Sequence, residues 1–375
     1  MTADVAAVPL PPAPPIAPPR QSESIFHRRF RKFRHLKRGY YSFVILLAAY
    51  CVSLALPLLV SNKPLIVRYD GRYYFPIATF YAASTFGLNA IGEPDYRDLQ
   101  RAFQTQANGN WVLMPLYPYS PTEALLDLPG FPPNAPQWPH VLGTDDRGRD
   151  VFARLAYGFN VSLTFAVLVT IFSESVGTIV GALLGYYGGK LDILGQRFIE
   201  IWSSLPFLYT IIIVSSVVVP IYLPGRNLLM QPSFWMLIGI LAIFDWVGLT
   251  YYIRGEFYRE KAKDYVGAAV VTGVSEFNIM FRHILPNALT PVVSFAPFVV
   301  VANISALVAL DFLGFGLPAP TPSWGELIGQ GMENLTKWWL VLFPLGALFI
   351  TLLLVVFIGE AVREAFDPKE FSQLQ

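Results

Sequence analysis

Three carboxylates stand inside long apolar runs, Glu174, Asp245 and Asp311. They are the side chains whose placement raises a chemical question. A charged group at the bilayer centre costs about 3 kcal/mol or more if it faces lipid, so each must meet a wet path, find a partner or hold a proton. Two readings stay open: residues of a translocation path, or groups hydrogen-bonded to nearby serines, backbone or a neighbouring helix. Covalent chemistry has little support. No nucleophile stands in an arrangement with a base. Gly188-Gly189-Lys190 is followed by Leu191 and lacks the preceding glycine of a nucleotide-phosphate loop. His27, His35, His140 and His283 have no ligand spacing, and the single cysteine, Cys51, excludes an internal disulfide. The expectation is a chain with no catalytic residue, no metal and no bound cofactor.

A second stretch is polar enough to leave the membrane, running from Asp264 to Asn287. It predicts two short helices with a break. The first, 264–272, places Tyr265, Ala268, Ala269 and Thr272 on one face at helical spacing, and its two alanines make a flat docking face. Gly273 is the expected stop, Ser275 the expected cap of the second helix, and Pro286 the point where the chain takes a new direction.

The elements that must position these residues are membrane helices. Over 375 residues, 54% are hydrophobic and 14% charged, with mean hydropathy +0.46. That is too apolar for an ordinary soluble domain. The net charge of +1 offers no surface for nucleic acid. Spans are expected at 41–60, 161–184, 234–252, 289–312 and 339–358, with a third, carrying Pro206 in its first turn, ending near 223, each near the length that crosses about 30 Å of hydrocarbon. Gly177, Gly181 and Gly185 form a small-residue stripe where another helix can approach. Pro291 and Pro297 imply a kinked fifth span.

The division expected is a Pro-rich then basic tail (1–39), a first membrane helix (40–61), an external segment (62–157), a five-helix core (158–360) with the loop 254–287, and a C-terminal tail (361–375). In the external segment Asp70-Gly71 predicts a tight hairpin. Eight prolines between Pro115 and Pro139 predict an irregular, loop-rich surface. Residues 142–158 predict an interfacial helix capped by Asp145 or Asp146.

Several of these motifs carry a resemblance. Ala268-Ala269, Gly273 and His283-Ile284-Leu285-Pro286 are similar to the coupling loop of permease subunits of bacterial ABC importers, although Gly267 stands where that family has Glu. Leu142-Gly-Thr-Asp145, Gly148-Arg-Asp150, Tyr186-Tyr-Gly-Gly-Lys190, Ser204-Leu-Pro206 and Asp311-Phe-Leu-Gly314 resemble the dipeptide and oligopeptide branch over about 142–368. The enlarged external segment is similar to members associated with oligopeptide and microcin C uptake. The resemblance implies an all-α, six-helix type I importer permease fold with a small periplasmic insertion. It implies Tyr265, Ala268, Ala269, Thr272, Gly273, Arg282, His283 and Pro286 as the contact with a cytoplasmic ATPase that carries ATP and Mg. It also implies a paralogous permease subunit, a periplasmic peptide-binding protein and the bacterial inner membrane.

Charge gives an independent check. Six spans put both termini on the side of the Ala268-Ala269 loop. That side holds 17 of the 27 Lys and Arg, and the two short opposite connections hold only Arg226 and Lys337. Short basic loops stay cytoplasmic, so both termini and the loop are expected there. The rival from another class is a proton-coupled secondary transporter using Glu174 and Asp245. Against it, no half-length repeat is visible.

Overall fold

The structure is a computed structural model and describes residues 25–106, 108–222 and 233–366. The Pro-rich tail, the turn around Pro224 to Pro232 and the last residues after Phe366 lie outside the described residues.

The elements in order are α1 (Ile25–His35), α2 (Lys37–Leu54), α3 (Leu56–Leu59), β1 (Ile66–Tyr69), β2 (Arg72–Tyr74), α4 (Tyr96–Gln106), β3 (Trp111–Leu113), α5 (Val151–Tyr187), α6 (Gly189–Ser203), α7 (Phe207–Tyr222), α8 (Phe234–Asp245), α9 (Val247–Lys261), α10 (Asp264–Val271), α11 (Glu276–Asn278), α12 (Leu285–Ala288), α13 (Thr290–Phe312), α14 (Trp324–Glu333) and α15 (Trp339–Phe366). α5, α13 and α15 are each long and apolar enough to cross a membrane. Two further spans are bent pairs, α6 with α7 at 80° and α8 with α9 at 47°. The first expected span, 41–60, falls on α2 and its continuation α3.

The bundle is organised on α5, which packs against α8, α9 and α13, while α15 packs against α2, α13 and α14. The glycine stripe explains the closest approach. A Cβ at Gly177 would lie 2.6 Å from the Trp246 carbonyl oxygen, one at Gly181 2.8 Å from that of Thr250, and one at Gly185 2.6 Å from Phe257 Cβ. Only hydrogen fits there, so α5 and α9 meet backbone to backbone, as in small-residue membrane interfaces. The Thr250 hydroxyl reaches the Gly177 carbonyl oxygen at 3.3 Å.

Several expectations are corrected. Within the basic tail, residues 25–35 form an amphipathic helix, whose Phe33 packs on Ala361 and Ala365. Neither Asp145 nor Asp146 caps a helix. Residues 142–150 are a turn-rich loop, and α5 begins at Val151 with Asp150 as cap, its Oδ1 accepting from Ala153 N at 2.8 Å. From there α5 runs unbroken for 37 residues, so no separate interfacial helix precedes the span. The Asp70-Gly71 hairpin does form, with φ of 47° and 75° at its two turn residues, the left-handed pair that such a turn needs. A third strand, β3, pairs with β1, and α4 covers the sheet, with Val67, Phe86, Tyr96, Leu99, Phe103 and Val112 in its own core. The segment between α3 and α5 is therefore a small α+β unit followed by the Pro-rich loop.

Candidate functional site

The 264–287 loop is welded to the bundle. α10 ends in two hydrogen bonds, Gly273 N to Val270 O at 3.0 Å and Val274 N to Ala269 O at 3.1 Å. With Gly273 at φ 76° this is the Schellman stop. Val266 and Ala269 turn inward onto Ile279, Met280, Ile284 and Ala288, and that cluster is continuous with Ala182, Ile253 and Phe257 of α5 and α9.

The two alanines are thus divided. Ala269 is 8% exposed and part of the core, whereas Ala268 is on the outside with Gly267, Val270 and Val271. The flat face expected from Tyr265, Ala268, Ala269 and Thr272 is not one surface. What the loop presents is an apolar tip, Val271 at 88% exposure and Phe277 at 68%. Ser275 occupies the cap position of α11, but its hydroxyl makes no capping bond.

Tyr265 acts inside the loop. Its hydroxyl donates to Glu260 Oε2 at 2.7 Å and accepts from Asn287 Nδ2 at 3.3 Å. Glu260 is buried and also pairs with Lys263 at 2.6 Å. Asn287 Nδ2 donates as well to the His283 carbonyl oxygen at 3.2 Å. These bonds tie α10 to the end of α9 and to α12. Thr272 returns its hydroxyl to the Ala268 carbonyl oxygen at 3.0 Å. Arg282 is exposed, and Arg282 and His283 lie in a widened π turn, Ile279–Ile284. Pro286 explains the widening, because it has no N–H and its ring crowds the carbonyl four residues earlier. The chain nevertheless stays helical through Pro286 in the first turn of α12, contrary to the expected change of direction.

A second clasp joins α6 to α9. Asp192 accepts from Arg254 Nε at 2.5 Å and Nη2 at 2.6 Å, and from the Tyr258 hydroxyl at 2.8 Å. The Arg254 hydrogen bonds, with Tyr258 and Gln196 adding to them, hold the Asp192 carboxyl down at about 2. Lys261 Nζ adds a bond to the Tyr186 carbonyl oxygen. The foot of α9, from which the loop hangs, is so fixed on two sides. Sequence reading missed Asp192, Arg254, Glu260 and Asn287, since isolated polar residues near a span end carry no pattern that names their partners.

The three intramembrane carboxylates separate by role. Asp245 Oδ2 accepts from Ser173 Oγ at 3.3 Å and Asn303 Nδ2 at 3.2 Å, and Asn303 also reaches Thr170 at 3.2 Å. These bonds form a polar clasp across α5, α8 and α13. Glu174 is buried beside it, and its Oε1 has no hydrogen-bond partner among the described residues. Asp311 sits away from both, accepting from Leu317 N at 2.7 Å and Ser323 Oγ at 2.6 Å. It shapes the connection between α13 and α14.

The far end of the bundle is held by charge. Arg149 bonds Asp145 at 2.6 Å and Glu326 at 2.9 Å, and fully buried Arg154 bonds Glu326 and the Pro121 carbonyl oxygen. Asp150 takes the Tyr117 hydroxyl at 2.7 Å and His140 at 2.8 Å. The Asp145 to Arg154 stretch thereby clamps the Pro-rich loop, α5 and α14 together. Among the described residues no group of His, Cys, Asp and Glu is arranged to hold a metal.

Residues 177–371 match the family described as binding-protein-dependent transport system inner membrane component. The chain is 43% identical over 342 residues to the inner membrane ABC transporter permease protein YejE of Escherichia coli, covering 91% of this chain and 96% of that one. It is 38% identical to the peptidoglycan transport system permease protein YejE of Agrobacterium fabrum, over 92% and 93% of the two chains. It is also 38% identical to the oligopeptide transport system permease protein OppC of Lactococcus lactis, over 62% and 77%. The welded loop, the bundle of long apolar helices and these similarities converge: the chain belongs to the binding-protein-dependent inner membrane components, the permease subunits of ABC importers.

Proposed function

We propose that this chain forms one half of the translocation path of a peptide importer, taking oligopeptides and peptide–nucleotide conjugates of the microcin C kind. The other half is a paralogous, YejB-like permease subunit. A periplasmic binding protein delivers the peptide, and both termini and the 264–287 loop are cytoplasmic. The chain binds no cofactor and hydrolyses nothing itself; ATP and Mg belong to a cytoplasmic ATPase seated against the loop.

The observation that supports this reading is the exposed apolar tip on a rigid base. Val271 and Phe277 point outward while Val266 and Ala269 anchor the same turns in the α5–α9 core. A push on that tip reaches α9 directly, because Tyr265, Lys263 and Glu260 bind loop to helix. Rigid-body motion of a packed element is how such sites transmit force. Glu174 remains our candidate path residue: among the described residues its buried Oε1 has no hydrogen-bond partner, while Asp245 beside it is bonded to Ser173 and Asn303.

The test is cysteine crosslinking from Val271→Cys in a Cys51→Ser background, combined with uptake of peptides of graded length. The expected result is a crosslink to the ATPase subunit and ATP-dependent uptake. Labelling of Val271→Cys from outside intact cells, or uptake that collapses with a protonophore while ATP is maintained, would refute the reading.

A further inference from the structure

Where α1, the foot of α9, the start of α13 and the end of α15 meet, they line a half-open cavity of about 630 Å³. Four cations line it, Arg29, Arg259, Lys263 and Arg363, against two carboxylates, Glu256 and Glu260. Both carboxylates are already engaged, Glu256 with Arg259 at 3.0 Å and Glu260 with Lys263 at 2.6 Å. Arg29 and Arg363 form no ion pair among the described residues. Arg29 lies over the Phe366 ring at 4.8 Å, a contact that attracts the cation without neutralising it. Its half-buried position lowers its pKa by desolvation, the direction expected of a cation that lacks an anion.

Part of the lining is aromatic. Tyr252 and Phe295 stack with centroids 4.5 Å apart, beside Pro291 at the start of α13. Two uncompensated guanidinium groups next to an apolar wall, at the end of the spans, match an amphiphile with an anionic head. The planar fork of guanidinium suits phosphate oxygens in particular.

We propose that this cavity binds a phosphate-bearing anion between Arg29 and Arg363, in the form of an anionic phospholipid whose chain lies along Tyr252 and Phe295. Glu260 and Lys263 belong both to the cavity and to the clasp that holds α10, so the occupied site touches the root of the loop. Any effect on transport rests on the coupling reading above; binding does not.

The experiment reads binding alone. The full chain, purified with its associated subunits, is placed in phosphatidylcholine nanodiscs with added phosphatidylglycerol, and retained lipid is counted by native mass spectrometry. The Arg29→Gln/Arg363→Gln pair is expected to weaken phosphatidylglycerol retention roughly tenfold or more, the usual loss when a charged hydrogen bond is removed. Arg72→Gln/Arg101→Gln makes the same net-charge change on the external unit and is expected to leave retention unchanged. Arg29→Lys keeps the charge, loses the fork and falls in between, which covers the case of a double variant that does not fold. Competition by soluble glycerol phosphate shows that the head alone suffices; its absence, with retention intact, assigns the site to the whole lipid.

Three outcomes overturn the proposal. One is retention in the double variant equal to that in the control pair. Another is equal retention of phosphatidylcholine in the unaltered chain. The third is retention that appears only after truncation at Phe366, which would mean that the chain's own C-terminal carboxylates occupy the cavity.

Discussion

The Tyr265 hydroxyl donates to Glu260 Oε2 at 2.7 Å, joining the first helix of the 264–287 loop to the last turn of α9, the helix from which it hangs. Tyr265→Phe removes this bond while Lys263 still holds Glu260. Loss of about 1 kcal/mol in local stability is expected, discounted for partial exposure. Amide exchange in α10 should rise roughly fivefold, with global melting little changed. Unaltered exchange in 264–271 would deny Tyr265 this role.

The apolar tip should be separable from the fold. Val271 is 88% exposed, so Val271→Asp should alter the melting free energy by less than about 0.5 kcal/mol. The same change puts a charge into the proposed ATPase contact. Co-purification of the ATPase with the variant should fall roughly tenfold or more, the behaviour of a contact centre.

Two glycines make a paired test of packing. Gly181→Val forces its Cβ to 2.8 Å from the Thr250 oxygen and is expected to cost about 3 kcal/mol by overpacking. At Gly267 an added Cβ meets nothing within 4 Å. Gly267→Ala should therefore stabilise α10 by up to about 1 kcal/mol through helix propensity alone. Thermal melts in detergent, run side by side, would show opposite signs.

Asp192 gives a pH dependence whose sign is fixed. Its carboxyl, bonded first by Arg254 and then by Tyr258, is held at about 2 against an unperturbed 3.8. A depressed acid stabilises the fold above the unfolded value, and that contribution is lost as pH falls from about 4 to about 2. Asp192→Asn should melt earlier than the unaltered chain at pH 6. The gap should close as pH approaches 2, and a gap independent of pH would exclude the charge as its cause.

At the far end, Arg154→Met leaves Glu326 with Arg149 and removes the bond to the Pro121 carbonyl oxygen. Breaking a buried charged network of this kind costs about 3 kcal/mol. Limited proteolysis between Pro115 and Pro139 should accelerate in the variant, and an unchanged cleavage rate would show that the clamp does not order this loop.

Composition and local chemistry determined a good deal. Hydropathy located the crossings because burial in hydrocarbon acts on each segment by length and content alone. Asp70-Gly71 and Gly273 announced their turns because left-handed backbone favours those residues wherever they stand. The glycines at 177, 181 and 185 announced a close approach, though not that its partner is α9.

Tertiary structure alone decided which way each residue of a short helix faces. Ala268 and Ala269 are equivalent in propensity, yet one turns outward and the other is core, because α9 and the 279–284 turn lie on one side only. Asp245, Asp311 and Glu174 look alike in sequence, and their partners separate them: Ser173 and Asn303 for the first, Ser323 for the second, and, among the described residues, none for one oxygen of the third. Polar bonds inside a bundle depend on three-dimensional proximity across more than fifty residues of chain, a relation that no local pattern records.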